Sequence, residues 1–272
     1  MTDQRAKAER FHQLHKSGCF VIPNPWDVGS AKILEGLGFE ALATTSAGFA
    51  RSTGVNDYEL TRETVLSHVT DLCGATALPV SADLENGFGD RPQDCFDTIT
   101  RGANAGLVGA SIEDFSGRPG EQYPIEMAKD RITAAVEAAR AQPFPFTLTA
   151  RAENFFTGVP DLSDAIKRLQ AYQEAGADVL YAPGLRSLAD IKTVLSSVDR
   201  PVNVLFGPSD GYVPVSDLAD LGVRRISVGS MLANAAMDAL IKAGKELIGS
   251  GTFEFMSGMT PTLEITDLMF KR

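Results

Sequence analysis

Two carboxylates follow a short apolar segment in the first third of the chain. Residues 79–82 read Pro-Val-Ser-Ala, which is typical of a buried strand, and Asp83 and Glu85 come directly after them, before a glycine-rich turn at 86–90. Two neighbouring carboxylates are costly to bury unless a positive charge lies beside them. The pair therefore predicts either a divalent cation held by oxygen ligands or a basic group of a substrate.

Other polar residues stand where further predicted strands end. Small residues follow the second strand at 45–48, and their backbone N–H groups could hold an oxyanion. The charged residues at or just beyond the other strand ends are Asp57, Glu113, Asp114, Arg151 and Glu153. Several acids around one arginine would repel one another without a cation. A bound Mg2+ or Mn2+ ion would remove that repulsion and would help to hold an anionic substrate.

Each of these residues also has a structural interpretation. Strand-end Asp and Ser residues often cap the following helix, and Arg151 could form an ion bridge with Glu113 or Glu153. The functional interpretation is favoured because the acids cluster on the third and fourth strands. These strands are neighbours in a barrel, so their ends must converge.

Repeated strand–helix units position these residues. After an opening helix at 4–17, the predicted strands are 19–23, 39–45, 79–83, 107–114, 146–151, 178–182, 202–206 and 225–228. A helical pattern follows each strand, and Gly38, Gly106, Gly176 and Gly222 end helices in the way that loops of parallel α/β proteins require.

The units predict an α/β fold, a single (β/α)8 barrel of the TIM type with an extra N-terminal helix and a C-terminal helical tail. The barrel forms one domain over residues 1–272, and the tail at 250–272 could pack on the barrel or on a neighbouring subunit. An open doubly wound sheet is the alternative. Such sheets usually carry a phosphate-binding glycine motif after the first strand, and Pro23-Asn-Pro-Trp26 is not one.

Composition limits which binding partners and which cellular compartment are expected. With 25 Lys and Arg against 35 Asp and Glu, the formal charge is −10, so neither nucleic acid nor a membrane surface is expected as a partner. The three cysteines, Cys19, Cys73 and Cys95, form no C-x-x-C pair. An odd number without a signal peptide favours a reducing compartment, and no segment reaches the ~18 apolar residues of a membrane span. We expect a soluble cytoplasmic protein.

The motifs, taken in order, resemble one family. They are Thr45-Ser46-Ala47-Gly48, Gly54-x-x-Asp57, Asp83-x-Glu85-x-Gly87-Phe88-Gly89, Ile112-Glu113-Asp114 and Ala150-Arg151-x-Glu153. From residue 11 to about 248 the chain resembles the isocitrate lyase / phosphoenolpyruvate mutase superfamily. The resemblance implies making or breaking a C–C or C–P bond next to a 2-oxo acid, through a Mg2+-stabilised enolpyruvate-like intermediate. It also implies a homo-oligomer, a dimer or a tetramer that exchanges its last helices.

The same resemblance implies a metal site. Asp83 matches the acid that ligates Mg2+ directly, and Glu85 and Glu113 match the acids that hold it through waters. Asp57 matches a neighbouring acid and belongs to the predicted substrate-binding residues.

A substrate site is implied as well. Thr45, Ser46 and Ala47 match a backbone cradle for the substrate carboxylate and the enolate oxygen, and Arg151 matches the arginine that binds the pyruvyl portion. Catalytic roles are expected for Arg151, Ser46 and Glu113.

The loop after the fourth strand departs from the family. It reads Phe115-Ser-Gly-Arg-Pro-Gly-Glu-Gln-Tyr-Pro124, without the Cys and His of isocitrate and methylisocitrate lyases and without the Lys-Thr-Asn type of segment of phosphonomutases. Cleavage of isocitrate or methylisocitrate with a thiol acid is therefore not expected. Arg118 could bind a distal carboxylate, and Tyr123 or Glu121 could carry a proton as a catalytic residue. A solvated turn is the alternative.

These observations favour a Mg2+-dependent lyase that cleaves a C–C bond of a small 2-oxo or 2-hydroxy di-acid, for example an oxaloacetate decarboxylase. The apolar strand ends Ala182-Pro183-Gly184 and Phe206-Gly207-Pro208 favour a small substrate. C–P chemistry, as in a phosphonopyruvate hydrolase or phosphoenolpyruvate mutase, stays open. So does a catalytically silent barrel that binds 2-oxo acids.

Overall fold

The computed structural model describes residues 2–158, 160–185, 187–205 and 213–270. Its strands are β1 (Phe20–Ile22), β2 (Leu42–Ala43), β3 (Val80–Asp83), β4 (Gly109–Glu113), β5 (Thr147–Arg151), β6 (Val179–Tyr181), β7 (Val202–Leu205) and β8 (Arg225–Ser227). Its α-helices are α1 (Thr2–Leu14), α2 (Val28–Gly36), α3 (Ser46–Thr53), α4 (Arg62–Ala75), α5 (Pro92–Asn104), α6 (Ile125–Arg140), α7 (Leu162–Glu174), α8 (Leu188–Ser197), α9 (Val215–Leu221), α10 (Met231–Gly249) and α11 (Thr262–Phe270).

All paired strands are parallel, in the order β1-β8-β7-β6-β5-β4-β3-β2. Between β2 and β1, the backbone N–H of Ala43 donates to the carbonyl of Pro23 at 3.1 Å, which brings the two ends of the sheet together. The predicted single (β/α)8 barrel with an extra N-terminal helix is thereby confirmed. The carboxyl ends of all eight strands face one side, where the site of such a barrel is built.

Local sequence explains where several helices begin and how they pack. Asp27 caps α2 by accepting from the N–H of Ser30 at 2.7 Å. The core lies between the outer strand faces and the inner helix faces, where Ile99, Ile132 and Leu169 are buried from α5, α6 and α7. This apolar layer holds the strand ends in fixed positions.

The chain after β2 differs from the prediction. A strand was expected over 39–45, but β2 is two residues long and α3 follows it. Thr45 ends the extended segment because its Oγ1 accepts from the N–H of Gly48 at 3.2 Å and so caps α3. A Cβ on Gly48 would lie 2.5 Å from Cγ2 of Thr45, so this tight turn needs glycine.

The C-terminal tail is helical, as predicted, and α11 packs on α2 of the same chain. The contact is close, since a Cβ on Gly36 would lie 2.1 Å from the carbonyl oxygen of Leu268. Among the described residues, no helix is both long and apolar enough to cross a membrane. The strand-seven end at Phe206 to Pro208 lies outside the described residues.

Candidate active site

A cavity of about 420 Å3 opens at the carboxyl ends of the strands. Seven of the residues singled out from the sequence line it: Thr45, Ser46, Ala47, Asp57, Asp83, Arg151 and Glu153. Of the remaining predicted acids, Glu113 contacts Arg151, and Glu85 faces a neighbouring cavity of about 480 Å3. The structure therefore brings the predicted carboxylates, the arginine and the start of α3 into one region.

Arg151 lies at the centre of this region and contacts three carboxylates. Its Nη1 is 2.8 Å from Asp83 Oδ1 and 3.1 Å from Glu113 Oε2, and its Nε donates to Glu153 Oε1 at 2.9 Å. Burial opposes the charge of Arg151, but the three acids outweigh it and raise the guanidinium pKa. The ion bridge considered from the sequence is thus present, and Asp83 also takes part in it.

The second oxygen of Asp83 faces the start of α3. Asp83 Oδ2 accepts from the hydroxyl of Ser46 at 3.1 Å and lies 3.5 Å from its backbone N–H. The first-turn N–H groups of a helix have no partner within the helix, and the positive end of the helix dipole lies there. The start of α3 therefore offers donors to an anion beside Asp83.

Glu113 is fully enclosed, with 2% of its surface exposed. Its Oε1 accepts from the hydroxyl of Tyr58, while Oε2 faces Arg151. Burial raises the pKa of Glu113, and Arg151 partly offsets that effect. Tyr58 was not predicted as a site residue, yet it lines the cavity and adopts a positive φ of 64°. Non-glycine residues keep this conformation only where their surroundings impose it.

Among the described residues, two buried carboxylate oxygens have no hydrogen-bond partner: Glu85 Oε1 and Asp57 Oδ1. Burial, reinforced by the charge of Asp83, raises the pKa of Glu85 to about 8 and also raises the pKa of Asp57. Glu85 has a positive φ of 49°, which marks a second constrained residue beside the site. Buried acceptors without donors are what a cation and its bound waters would satisfy.

These carboxylate oxygens fit a hydrated divalent ion better than an ion that is enclosed by protein ligands alone. Within the part of the chain that the structure describes, no three Cys, His, Asp or Glu side chains are arranged to hold a metal ion together. Oxygen ligands with few direct protein contacts and several retained waters are typical of Mg2+. Asp83, which borders both the cavity and the start of α3, is the best-placed direct ligand.

The structure does not bring Tyr123 or Arg118 into the cavity. The hydroxyl of Tyr123 donates to Asp90 Oδ1 at 2.6 Å and accepts from Asn86 Nδ2 at 3.1 Å, and only 3% of the residue is exposed. Arg118 pairs on the surface with Glu121 and with Asp90. These contacts hold the loop at 115–124 together. Arg118 also lines the neighbouring cavity with Glu85, and the roles expected for Tyr123 and Arg118 stay predictions.

No described residue lining the cavity is a cysteine or a histidine. Cys95, the cysteine nearest in sequence to the loop at 115–124, is buried on α5 with its Sγ 3.6 Å from the carbonyl of Asn86. Burial raises its pKa to about 11, which keeps the thiol protonated and unreactive.

A further group of polar residues lines the cavity and was not identified from the sequence. They are Asn24, Tyr181, Asn203, Arg225 and Ser227. The available signal was their position, because polar residues at alternate positions of otherwise buried strands must point either into the barrel or into the helix layer. Only the observed register shows that these point inward.

Several known proteins resemble this chain in sequence and in structure. A crystal structure of a candidate lyase/mutase from Burkholderia cenocepacia J2315 shares 51% identity, covers 98% of this chain and 96% of its own, and superimposes with a TM-score of 0.95. Oxaloacetate decarboxylase of Rhodopseudomonas palustris BisA53 is 28% identical over 91% of this chain and 89% of its own length. The probable 2-methylisocitrate lyase 2 of Corynebacterium glutamicum is 28% identical over 85% of this chain and 76% of its own length.

The family model for phosphoenolpyruvate phosphomutase matches residues 11–248, nearly the same span over which the motifs indicated a resemblance. That resemblance is confirmed, and the names of the relatives agree with the expected lyase chemistry. The chain belongs to the phosphoenolpyruvate phosphomutase family.

Proposed function

We propose that this protein is a Mg2+-dependent lyase that cleaves a C–C bond of a small 2-oxo or 2-hydroxy di-acid, with decarboxylation of oxaloacetate as the leading reaction. The observation that carries the proposal is the cavity in which Asp83, Arg151 and the start of α3 meet, next to the partnerless oxygens of Asp57 and Glu85. An acid-rich cavity with one cluster of hydrogen-bond donors for an anion suits an anionic substrate that binds together with a cation.

Asp83 would hold the ion directly, Glu85 and Glu113 would hold it through waters, and Asp57 would lie beside it. When bound, Mg2+ or Mn2+ supplies positive charge that stabilises the negative charge developing on the 2-oxygen. The two partnerless oxygens would then gain donors from the waters of the ion.

The chain itself binds and orients the substrate. The N–H groups of Ser46 and Ala47 in the first turn of α3 and the guanidinium of Arg151 would donate to the substrate carboxylate and the 2-oxygen. When the carbon next to the 2-carbonyl loses CO2, the electron pair of the broken C–C bond stays on that carbon. It is delocalised onto the 2-oxygen as an enolate. Donors already in place when that charge develops lower the barrier without reorganising.

The absence of a thiol or imidazole among the described lining residues favours decarboxylation within the lyases. CO2 leaves without an acid to protonate it, whereas release of a carbanion or an alkoxide needs a proton donor. A C–P reaction is the second candidate, because it is the activity in the name of the matching family. A silent 2-oxo acid-binding barrel is the third.

The test is a steady-state assay with Mg2+. Purified protein is incubated with oxaloacetate while pyruvate is followed by a coupled dehydrogenase, and with phosphonopyruvate while phosphate is followed. The rate without protein is subtracted, because Mg2+ itself promotes decarboxylation. We expect pyruvate from oxaloacetate above that background and no phosphate. Phosphate release would favour the second candidate, and binding of both acids without turnover the third.

We also propose that the protein is a homo-oligomer. Large apolar side chains of α10 and the segment after it are exposed, among them Leu240 at 73%, Ile248 at 91% and Leu263 at 81%. Many exposed large apolar side chains along one stretch of the chain are typical of an interface. Light scattering after size exclusion should give a multiple of the 29.0 kDa chain mass. The cytoplasmic location stays a prediction.

A further inference from the structure

A second arginine lines the same cavity, at its inner end. Arg225 belongs to β8, is 5% exposed and points into the barrel. Its Nε donates to Asn203 Oδ1 at 2.8 Å, its Nη2 donates to Thr149 Oγ1 at 2.9 Å, and its Nη1 lies 3.5 Å from His15 Nε2. The guanidinium is thus held between β5, β7, β8 and α1.

All three partners of Arg225 are uncharged. His15 is neutral because burial, followed by the charge of Arg225, lowers its pKa to about 3. The Nδ1 of His15 lies 2.8 Å from the carbonyl of Phe11, so it carries the proton and Nε2 presents a lone pair to Arg225. The histidine therefore accepts a hydrogen bond but supplies no countercharge.

No carboxylate of the described chain lies within ion-pair distance of Arg225, whereas Arg151 in the same cavity has three. Burial lowers the pKa of Arg225 to about 10, which still leaves the group charged at neutral pH. A buried charge without a countercharge is unfavourable in the free protein. Such a charge is offset when a ligand of opposite sign enters the cavity.

Tyr181 lies between the two arginines. Its ring centroid is 5.3 Å from Cζ of Arg151, and the tyrosine lines the cavity together with Arg225. The cavity therefore has an outer cationic group whose charge is matched by acids and an inner one whose charge is unmatched. A molecule with one anionic group at each end fits that pattern, and a mono-acid leaves the inner charge unmatched.

We propose that Arg225 determines the specificity of the cavity by acting as the countercharge for the second carboxylate of a di-acid. The cavity would therefore prefer a 2-oxo di-acid to the 2-oxo mono-acid of the same length. This inference rests on the proposed function for the substrate class, but it concerns binding and can be tested without turnover.

The test measures dissociation constants by isothermal titration calorimetry with Mg2+ present. The two probes are 3,3-difluorooxaloacetate, which has both carboxylates, and 2-oxobutyrate, in which a methyl group replaces the second. In Arg225→Met we expect the di-acid to bind about 10- to 100-fold more weakly and the mono-acid to change by less than about threefold. Arg224→Met is the matched control, because Arg224 is only partly buried and donates to the carbonyl of Gly18; both constants should stay unchanged there.

A second variant adds the countercharge instead of removing the cation. Asn203→Asp keeps the size of the side chain and places a carboxylate 2.8 Å from Nε of Arg225, and the hydroxyl of Ser227 can turn to donate to it. We expect Asn203→Asp to abolish the preference for the di-acid. This variant provides the test if Arg225→Met does not fold. The proposal is overturned if the preference survives in the folded variants, or if both ligands weaken by the same factor.

The outcome is separable from that of the proposed reaction. If wild type prefers the di-acid and the variants do not, Arg225 has the assigned role even when no acid is turned over. If oxaloacetate is decarboxylated and the preference is the same in all variants, the reaction stands and Arg225 is only a structural part of the barrel.

Discussion

Glu113 and Asp114 are consecutive in sequence and equally buried, yet they lie in opposite environments. Glu113 points into the barrel beside Asp83 and Arg151. Asp114 points outward, where its Oδ2 accepts from Arg168 at 3.1 Å and from the hydroxyl of Tyr172. The other oxygen of Asp114 accepts from Gln122 at 3.0 Å and from the backbone N–H of Glu153 at 2.9 Å.

The difference separates an acid that holds the fold together from acids that await a ligand. Asp114 has donors on both oxygens and connects β4 with α7. Around Glu113, by contrast, buried oxygens of Glu85 and Asp57 have no donor in the described part of the chain, and one guanidinium is shared by three carboxylates. Replacing an acid around Glu113 should therefore lower activity more than stability, and replacing Asp114 should lower stability more than activity.

The largest expected effect is on activity and follows from Asp83→Ala. Without this carboxylate the Mg2+ ion and the substrate lose their shared anchor, and we expect the decarboxylation rate to fall by at least about 100-fold. The coupled pyruvate assay at saturating Mg2+ measures it. Unfolding should remain cooperative in the variant, and activity within about tenfold of wild type would exclude Asp83 as the metal ligand.

Asp114→Asn tests the other side of the comparison. The amide leaves Arg168 with a weaker partner and Tyr172 with a weaker acceptor, so the free energy of unfolding should fall by about 3 kcal/mol. Urea denaturation measures the change. Asp164→Asn is the control: it removes the more exposed partner of Arg168 and should cost about 1 kcal/mol or less. A large loss of activity in folded Asp114→Asn without loss of stability would contradict the structural role.

The pH dependence of stability gives a smaller effect, in metal-free protein. The pKa of Glu85 is raised from 4.5 to about 8, chiefly by burial, so the folded state binds its proton more tightly than the unfolded state. The stability contributed by that proton is complete below the unfolded pKa and is lost as the pH rises through about 8. We expect the unfolding free energy to fall over this range with EDTA present.

Glu85→Gln should flatten that fall, because the amide cannot ionise. Glu121→Gln is the matched control on the exposed loop and should leave the slope unchanged. If the unfolding free energy falls with pH equally in wild type and in Glu85→Gln, the raised pKa of Glu85 is not the cause of the fall.

The smallest effect is expected at Cys95. Its thiol is buried against the glycine-rich turn after β3, and no step of the proposed reaction uses it. Activity should survive treatment of the native protein with iodoacetamide, and Cys95→Ala should keep it within about twofold. Loss of activity that is restricted to modified Cys95 would reveal a thiol requirement in the acid-rich region.

The fold was largely predictable because each unit carries its own local signal. For example, β8 begins at the predicted residue 225, and β5 begins one residue after the predicted position and ends where it was predicted to end. Helix α3 was missed because its eight residues are too few to show a periodicity and its small side chains resemble a turn. The capping role of Thr45 was the signal that distinguishes the two.

The site was predictable where charge and strand end coincide, as at Asp83 and Arg151. It was not predictable where packing decides the direction of a side chain. Tyr123 has the right chemistry in the right loop, but its hydroxyl lies between Asn86 and Asp90 instead of in the cavity. Arg225 is the first residue of a three-residue strand, and only the barrel register shows that it points inward.

We propose that the acids around Asp83 form a Mg2+ site at which a small di-acid binds together with the ion. Calorimetric titration of oxalate into the protein, with Mg2+ and with EDTA, tests it most directly. We expect one oxalate per chain with Mg2+, and binding weaker by at least about 100-fold with EDTA. Equal affinity under both conditions would contradict the claim.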